Sequence, residues 1–155
     1  MPDARLLVVW HSNSGHTEEM VDLVLAGCRD PEVGVIDVRD VPALEATADD
    51  VRWATGLILG TPAHFGYMSG ALKHFFDTVY LDLLDQTRGL PYALFVKGGN
   101  DTDGAVAAIH KIVTGLAWKE VQPPLAVVGD LTDDQRAACT ELGQTLAAGL
   151  SMGIF

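Results

Sequence analysis

Two kinds of segment alternate along the chain: short unbroken apolar runs and longer stretches whose apolar residues recur with a helical period. Leu6-Leu7-Val8-Val9-Trp10 is β-prone and bounded by polar residues, which predicts a buried strand. Met20, Val21, Val24, Leu25 and Cys28 then fall at the spacing of one helix face. Val33-Gly34-Val35-Ile36-Asp37-Val38 alternates and predicts a second strand, broken by Val41-Pro42-Ala43-Leu44. Thr47, followed by Asp49 and Asp50, predicts the start of a short helix through Trp53, and residues 56–60 predict a third, fully buried strand. A helical face begins at Met68 and continues through Leu72, Phe75, Phe76 and Val79. A fourth strand is expected at 90–96, a helix carrying Val106, Ile109, Val113 and Leu116, and a fifth strand at 125–129. Thr132 and Gln135 have the spacing of a capping box before a last helix carrying Ala138, Leu142, Leu146 and Leu150.

Strands alternating with helices at this spacing imply right-handed parallel crossovers. The expected architecture is an α/β doubly wound five-stranded parallel sheet of order 2-1-3-4-5, a three-layer sandwich forming one domain over residues 1–155. In that order the winding reverses between strands 1 and 3, and ligands are expected in the crevice at the carboxyl ends there. Three irregular loops meet that crevice, after strands 1, 3 and 4. The second of them, residues 61–70, contains a proline and glycines that argue against a regular element.

The first loop carries the clearest chemistry. Ser12-Asn13-Ser14-Gly15-His16-Thr17 leaves a strand and opens a helix, so unpaired backbone N–H groups and the positive end of the helix dipole converge on one spot. Ser12, Ser14 and Thr17 add hydroxyl donors, and Gly15 permits close backbone approach. The loop contains no Lys or Arg, which points to neutral donors holding one phosphate group.

Composition narrows the field. At 155 residues and 48% hydrophobic, the chain has enough apolar material for a substantial core. Its formal net charge of −11, without a basic stripe, excludes nucleic acid as a partner. Without a long apolar run or a secretory signal, a cytoplasmic protein with no membrane partner is expected. Cys28 and Cys139 fall on predicted helix faces, where packing and a reduced state are expected, and no His pair has metal-ligand spacing. His11 stands where a phosphorylated receiver domain needs acidic residues, and the first loop lacks the cysteine and arginine of a low-molecular-weight phosphatase. Neither G-x-G-x-x-G nor G-x-S-x-G occurs.

The first loop resembles the phosphate loop of the flavodoxin family, T/S-x-T-G-x-T, with Ser14 where Thr is more frequent. The stretch from Thr61-Pro62-Ala63-His64-Phe65-Gly66-Tyr67-Met68 to Lys73, Phe75 and Asp77 resembles the second flavin loop and following helix of flavodoxin-like NAD(P)H:quinone oxidoreductases and FMN reductases. The resemblance implies non-covalent FMN, with its phosphate on Ser12, Asn13, Ser14, Gly15, the His16 amide and Thr17. It implies Thr61, Pro62 and Ala63 beside the ribityl chain and ring, and amides of His64, Phe65 and Gly66 near N5 and O4. Gly98, Gly99 and Asn100 would lie at N1 and O2, where amide donors favour the reduced ring, and Asp101 completes the cofactor-binding set.

The flavin would carry the chemistry, so no residue is assigned a catalytic role. The third loop lacks the aromatic with which many electron-carrier flavodoxins cover the ring, so one ring face is expected to be open to a nicotinamide or quinone. Two functions follow from the resemblance: an FMN-dependent oxidoreductase taking hydride from NADH or NADPH and reducing a quinone-like acceptor, or a flavodoxin-type electron carrier serving redox protein partners. Dimers and tetramers occur among the proteins it resembles, so a homo-oligomer is compatible with either.

Overall fold

A computed structural model describes residues 3–13, 15 and 17–155. Its strands are β1 (Arg5–Trp10), β2 (Asp37–Pro42), β3 (Gly56–His64), β4 (Tyr67–Met68), β5 (Pro91–Gly98), β6 (Lys119–Glu120) and β7 (Leu125–Val128). The α-helices are α1 (Glu18–Cys28), α2 (Ala48–Trp53), α3 (Gly70–Leu83), α4 (Asp103–Gly115) and α5 (Asp133–Ser151). The main sheet runs β2-β1-β3-β5, with β6 and β7 both pairing parallel to β5 at its outer side. Counted by position, this is the expected 2-1-3-4-5 order with its last strand in two pieces. Val121-Gln122-Pro123-Pro124 separates the pieces, and two prolines without N–H groups cannot maintain a ladder there.

Strand alternation sorts the core into two layers. Leu7, Val9, Leu57, Leu59, Leu94 and Val96 pack with residues of α2, α3 and α4, such as Val51, Phe75, Phe76 and Ile109. Leu6, Val8, Ile58, Ala93, Phe95 and Val127 pack on the opposite face with residues of α1 and α5, such as Met20, Val24, Cys139 and Leu146. Both expected caps form: Thr47 with Asp50 at α2, and Thr132 with Gln135 at α5. Cys28 and Cys139 are free thiols, fully buried in the α1/α5 layer.

Three expected elements differ. The second strand lies at Asp37–Pro42, not at 33–38. Pro31–Val33 instead forms a short 3-10 turn, with the Asp30 side chain accepting from the Glu32 amide and proline in its first turn. Val33 is thereby buried beneath α5 while Val35 stays exposed, so the alternation read as a strand belongs to a turn. Pro42 is tolerated in β2 because that strand is the sheet edge.

The second correction concerns 61–70, which contains regular structure. β3 continues through Thr61, Pro62, Ala63 and His64, and folds back as a hairpin on β4, pairing Ala63 with Met68 and His64 with Tyr67. The third follows from it: Met68 is a buried β4 residue, and α3 starts at Gly70 behind an N-cap by Ser69, whose Oγ accepts from the Leu72 amide.

Candidate functional site

The carboxyl ends of β1, β3 and β5 lie side by side, with Trp10 level with Gly60 and Pro62 level with Lys97. This register forces the three segments that follow into one place. They surround a cleft of about 290 Å³ lined by Asn13, Thr17, Pro62, Ala63, His64, Lys97, Gly98 and Gly99. Larger surface depressions exist, including one of about 630 Å³ near the chain's carboxyl end, but among the described residues this cleft is the one that draws on all three switch-point segments, whereas that larger depression draws on none of them.

The first segment presents unsatisfied donors. Thr17 is the N-cap residue of α1 and is fully buried, yet its side chain makes no capping bond. Its Oγ1 and the buried Oγ of Ser12 have no hydrogen-bond partner among the described residues. Two orphaned hydroxyls in one loop, that of Thr17 at the helix N-terminus and beside the cleft, are costly unless a ligand oxygen accepts from them, so the donor set fits a phosphate. Gly15 lies in the same segment with φ 76°. Ser14 and His16 lie outside the described residues.

The second segment is a two-residue hairpin turn, with Phe65 at φ 52° and Gly66 at φ 72°. Both central residues left-handed is the geometry that matches the twist of paired strands, and a bulky Phe occupies it at a cost that glycine avoids. The Phe65 side chain is fully exposed, whereas Pro62 and Ala63 present apolar wall to the cleft. The Thr61 hydroxyl is spent internally, donating to the Pro62 carbonyl at 2.8 Å and accepting from the Ser69 amide at 3.1 Å. It locks β3 to the start of α3 and leaves its own position to contribute backbone only.

The third segment is held against the second. A Cβ built on Gly104, in the first turn of α4, would lie 1.8 Å from the Gly66 carbonyl oxygen, so only glycine allows α4 to abut the hairpin. Gly98 and Gly99 line the cleft, while Asn100 and Asp101 are exposed and outside its lining. The Asp101 carboxylate accepts from the Asp103 amide at 2.9 Å and so serves the start of α4.

Lys97 was not singled out by the sequence reading, although it borders the Gly98-Gly99 pair. The signal available was its strand parity: it follows Ala93 and Phe95 on the α1 side of β5. His11 sits where β1 ends, its amide donating to the Gly60 carbonyl at 3.0 Å. Partial burial and the nearby His64 hold its imidazole below the ordinary histidine range. Trp10 packs against the α1/α5 layer. Among the described residues there is no metal-competent cluster of His, Cys, Asp or Glu, and no helix long and apolar enough to cross a membrane.

A doubly wound parallel sheet with a cleft at its switch point, opened by a hydroxyl-rich strand-to-helix loop, defines a protein of the flavodoxin fold. A flavodoxin from the domain Archaea superposes with a TM-score of 0.80 at 20% identity, covering 94% of this chain and 98% of that one. The chain belongs to the NADPH-dependent FMN reductase family, whose sequence model matches residues 5–130. It is 35% identical over 112 residues to a flavodoxin of Aquifex aeolicus, covering 72% of this chain and 60% of that protein. It is also 35% identical over 92 residues to an NAD(P)H dehydrogenase (quinone) of Acidithiobacillus ferrooxidans, covering 48% and 46% respectively. The chain thus spans less than two thirds of either curated relative.

Proposed function

We propose that the cleft binds FMN and that the protein is an NAD(P)H-dependent oxidoreductase reducing a quinone or similar acceptor. The observation that carries this reading is that the orphaned hydroxyl of Thr17, the hairpin strands and the Gly98-Gly99 segment meet around one cleft, with a second orphaned hydroxyl, Ser12 Oγ, in the same first loop. FMN would supply the redox chemistry, accepting hydride from the nicotinamide and passing electrons to the acceptor.

The chain's own residues bind and orient. Ser12, Thr17 and the first amides of α1 would hold the phosphate, with Asn13, Ser14, Gly15 and the His16 amide completing that loop. Pro62 and Ala63 would bracket the ring and ribityl chain with apolar surface. Backbone N–H groups of His64, Phe65 and Gly66 on one side, and of Gly98, Gly99, Asn100 and Asp101 on the other, would meet the polar rim of the ring. No Phe, Tyr or Trp lines the cleft among the described residues, and Phe65 points into solvent, which supports a ring face open to a stacking substrate.

The 35% identity to a protein named flavodoxin supports a second reading, a carrier passing electrons between redox proteins. Flavin absorption bands in the purified protein, or their appearance on adding FMN, test the cofactor. Aerobic NADH or NADPH oxidation in the presence of a quinone then separates the functions: turnover supports the enzyme, and a flavin-loaded protein inert to both nucleotides supports the carrier. A protein that remains colourless in excess FMN overturns both.

A further inference from the structure

We propose that Lys97 is the counter-charge of the ligand's phosphate, delivered to the first loop from a neighbouring strand. The inference rests on the flavin reading of the cleft. It changes how the anion is held: by charge as well as by neutral donors, although the loop itself carries no cation.

The chain is strongly acidic, and most of its cations are committed elsewhere. Arg29, Arg39, Arg52, Lys73, Arg88 and Arg136 each pair with a carboxylate. Lys97 has no carboxylate partner among the described residues, and it is the Lys or Arg that lines the cleft. In a protein with formal charge −11, an ammonium facing a cleft without a carboxylate partner is a charge left available for an anion.

Strand alternation says which anion. Leu94 and Val96 face the α2–α4 layer, and Ala93 and Phe95 face the α1/α5 layer. Lys97 continues the second series, so its stem leaves the sheet on the side of α1, where Thr17 presents its unpartnered hydroxyl to the same cleft. A flexible four-carbon stem ending in a compact charge suits a phosphate oxygen, which accepts from many directions. The lysine thus approaches the tail of the ligand, and riboflavin, which has the same ring without the phosphate, would gain nothing from it.

The test is titration of the wild-type protein, K97M and K97R with FMN and with riboflavin, at low and high salt, read by quenching of flavin fluorescence. Far-UV circular dichroism verifies the fold of each variant. K97M is expected to weaken FMN binding roughly 10- to 100-fold, the range for a lost charged hydrogen bond. Riboflavin binding should be unchanged, the gap in FMN affinity between wild type and K97M should narrow as salt screens the charge, and K97R should restore FMN binding. Equal loss for FMN and riboflavin would overturn the proposal, because the residue would then act on the ring or the fold. FMN binding by K97M that matches wild type would overturn it while leaving the flavin reading intact. An FMN affinity gap between wild type and K97M that salt leaves unchanged would also overturn it, because a charge acting on the phosphate must be screened. Failure of the wild type to bind either flavin would instead refute the flavin reading, and this inference with it.

Discussion

Replacing Gly104 with alanine tests whether α4 braces the hairpin that forms one wall of the cleft. The added Cβ would lie 1.8 Å from the Gly66 carbonyl oxygen, against an ordinary carbon–oxygen contact of about 3.4 Å. The obstacle is backbone, so no side chain can rotate away. Either the hairpin tip or the first turn of α4 must retreat by about 1.5 Å. Overpacking of this kind costs about 1–3 kcal/mol. The better helix propensity of alanine offsets at most about 1 kcal/mol of it. A net cost of about 1–2 kcal/mol, at about 2–4 °C per kcal/mol for a chain of this size, should lower the melting temperature by roughly 2–8 °C.

The same retreat separates the amides of 64–66 from Gly98 and Gly99, and losing one backbone hydrogen bond to the ring would weaken FMN binding about tenfold. Differential scanning fluorimetry reads the first quantity and flavin titration the second. Gly70→Ala is the control: it opens α3, nothing lies within 4 Å of its added Cβ, and it should be neutral or slightly stabilising. If Gly104→Ala matches wild type in both melting and FMN affinity, the close approach of α4 to the hairpin does not hold the site together.

Thr17→Val removes a buried hydroxyl that has no partner among the described residues and makes no capping bond, so the flavin-free protein should gain about 1 kcal/mol while FMN binding weakens about tenfold, both measurable by melting with and without FMN. Burial pushes the Cys28 thiol up to about 12 and the Cys139 thiol up to about 11, so both should resist Ellman's reagent until the chain unfolds. Because the unfolded thiols ionise first, stability should decline as pH rises above about 9. Cys28 alone should account for about 1 kcal/mol at about pH 10, and Cys28→Ala should flatten that decline in a denaturant series. His11 behaves in the opposite sense: its folded form resists protonation, the unfolded chain takes the proton first, and stability should fall as pH drops below the ordinary histidine value. His11→Gln should reduce that acid-side slope.

The sheet order and the positions of most helices were legible because apolar runs and helical periods are long-range patterns that tertiary packing rarely overrides. Leu6 to Val9 and Ile58 are buried on both sides of the sheet, the Thr132–Gln135 capping box was visible as a side-chain spacing, and Thr47 was visible as a hydroxyl cap ahead of acids in the first turn. Misplacements arose where local geometry competes with pattern. Val33 and Val35 alternate like a strand, but Asp30 and Pro31 start a turn that no periodicity reveals. Pro62 read as a breaker, yet it lies within β3, beside Lys97 of β5 in a parallel register set by neighbouring strands. The hairpin at Phe65-Gly66 lacks the Asn-Gly pair that announces such turns. At the site, residue types alone brought three loops to the switch point. They could not show that Thr61 and Asp101 spend their side chains on the scaffold, or that Lys97 borders the cleft, because those facts depend on hydrogen bonding and strand register.

The divided outer strand has a bearing on how these molecules behave at high concentration. A parallel sheet ends in rows of unpaired amides that can recruit the rim of another molecule. Here one rim is interrupted at Pro123-Pro124, leaving pieces of two and four residues, and the opposite rim carries Asp37, Arg39, Asp40 and a terminal proline. Neither margin offers a long, flat template, so sheet-to-sheet polymerisation is disfavoured at both sides, and any self-association of this chain must use helices or loops.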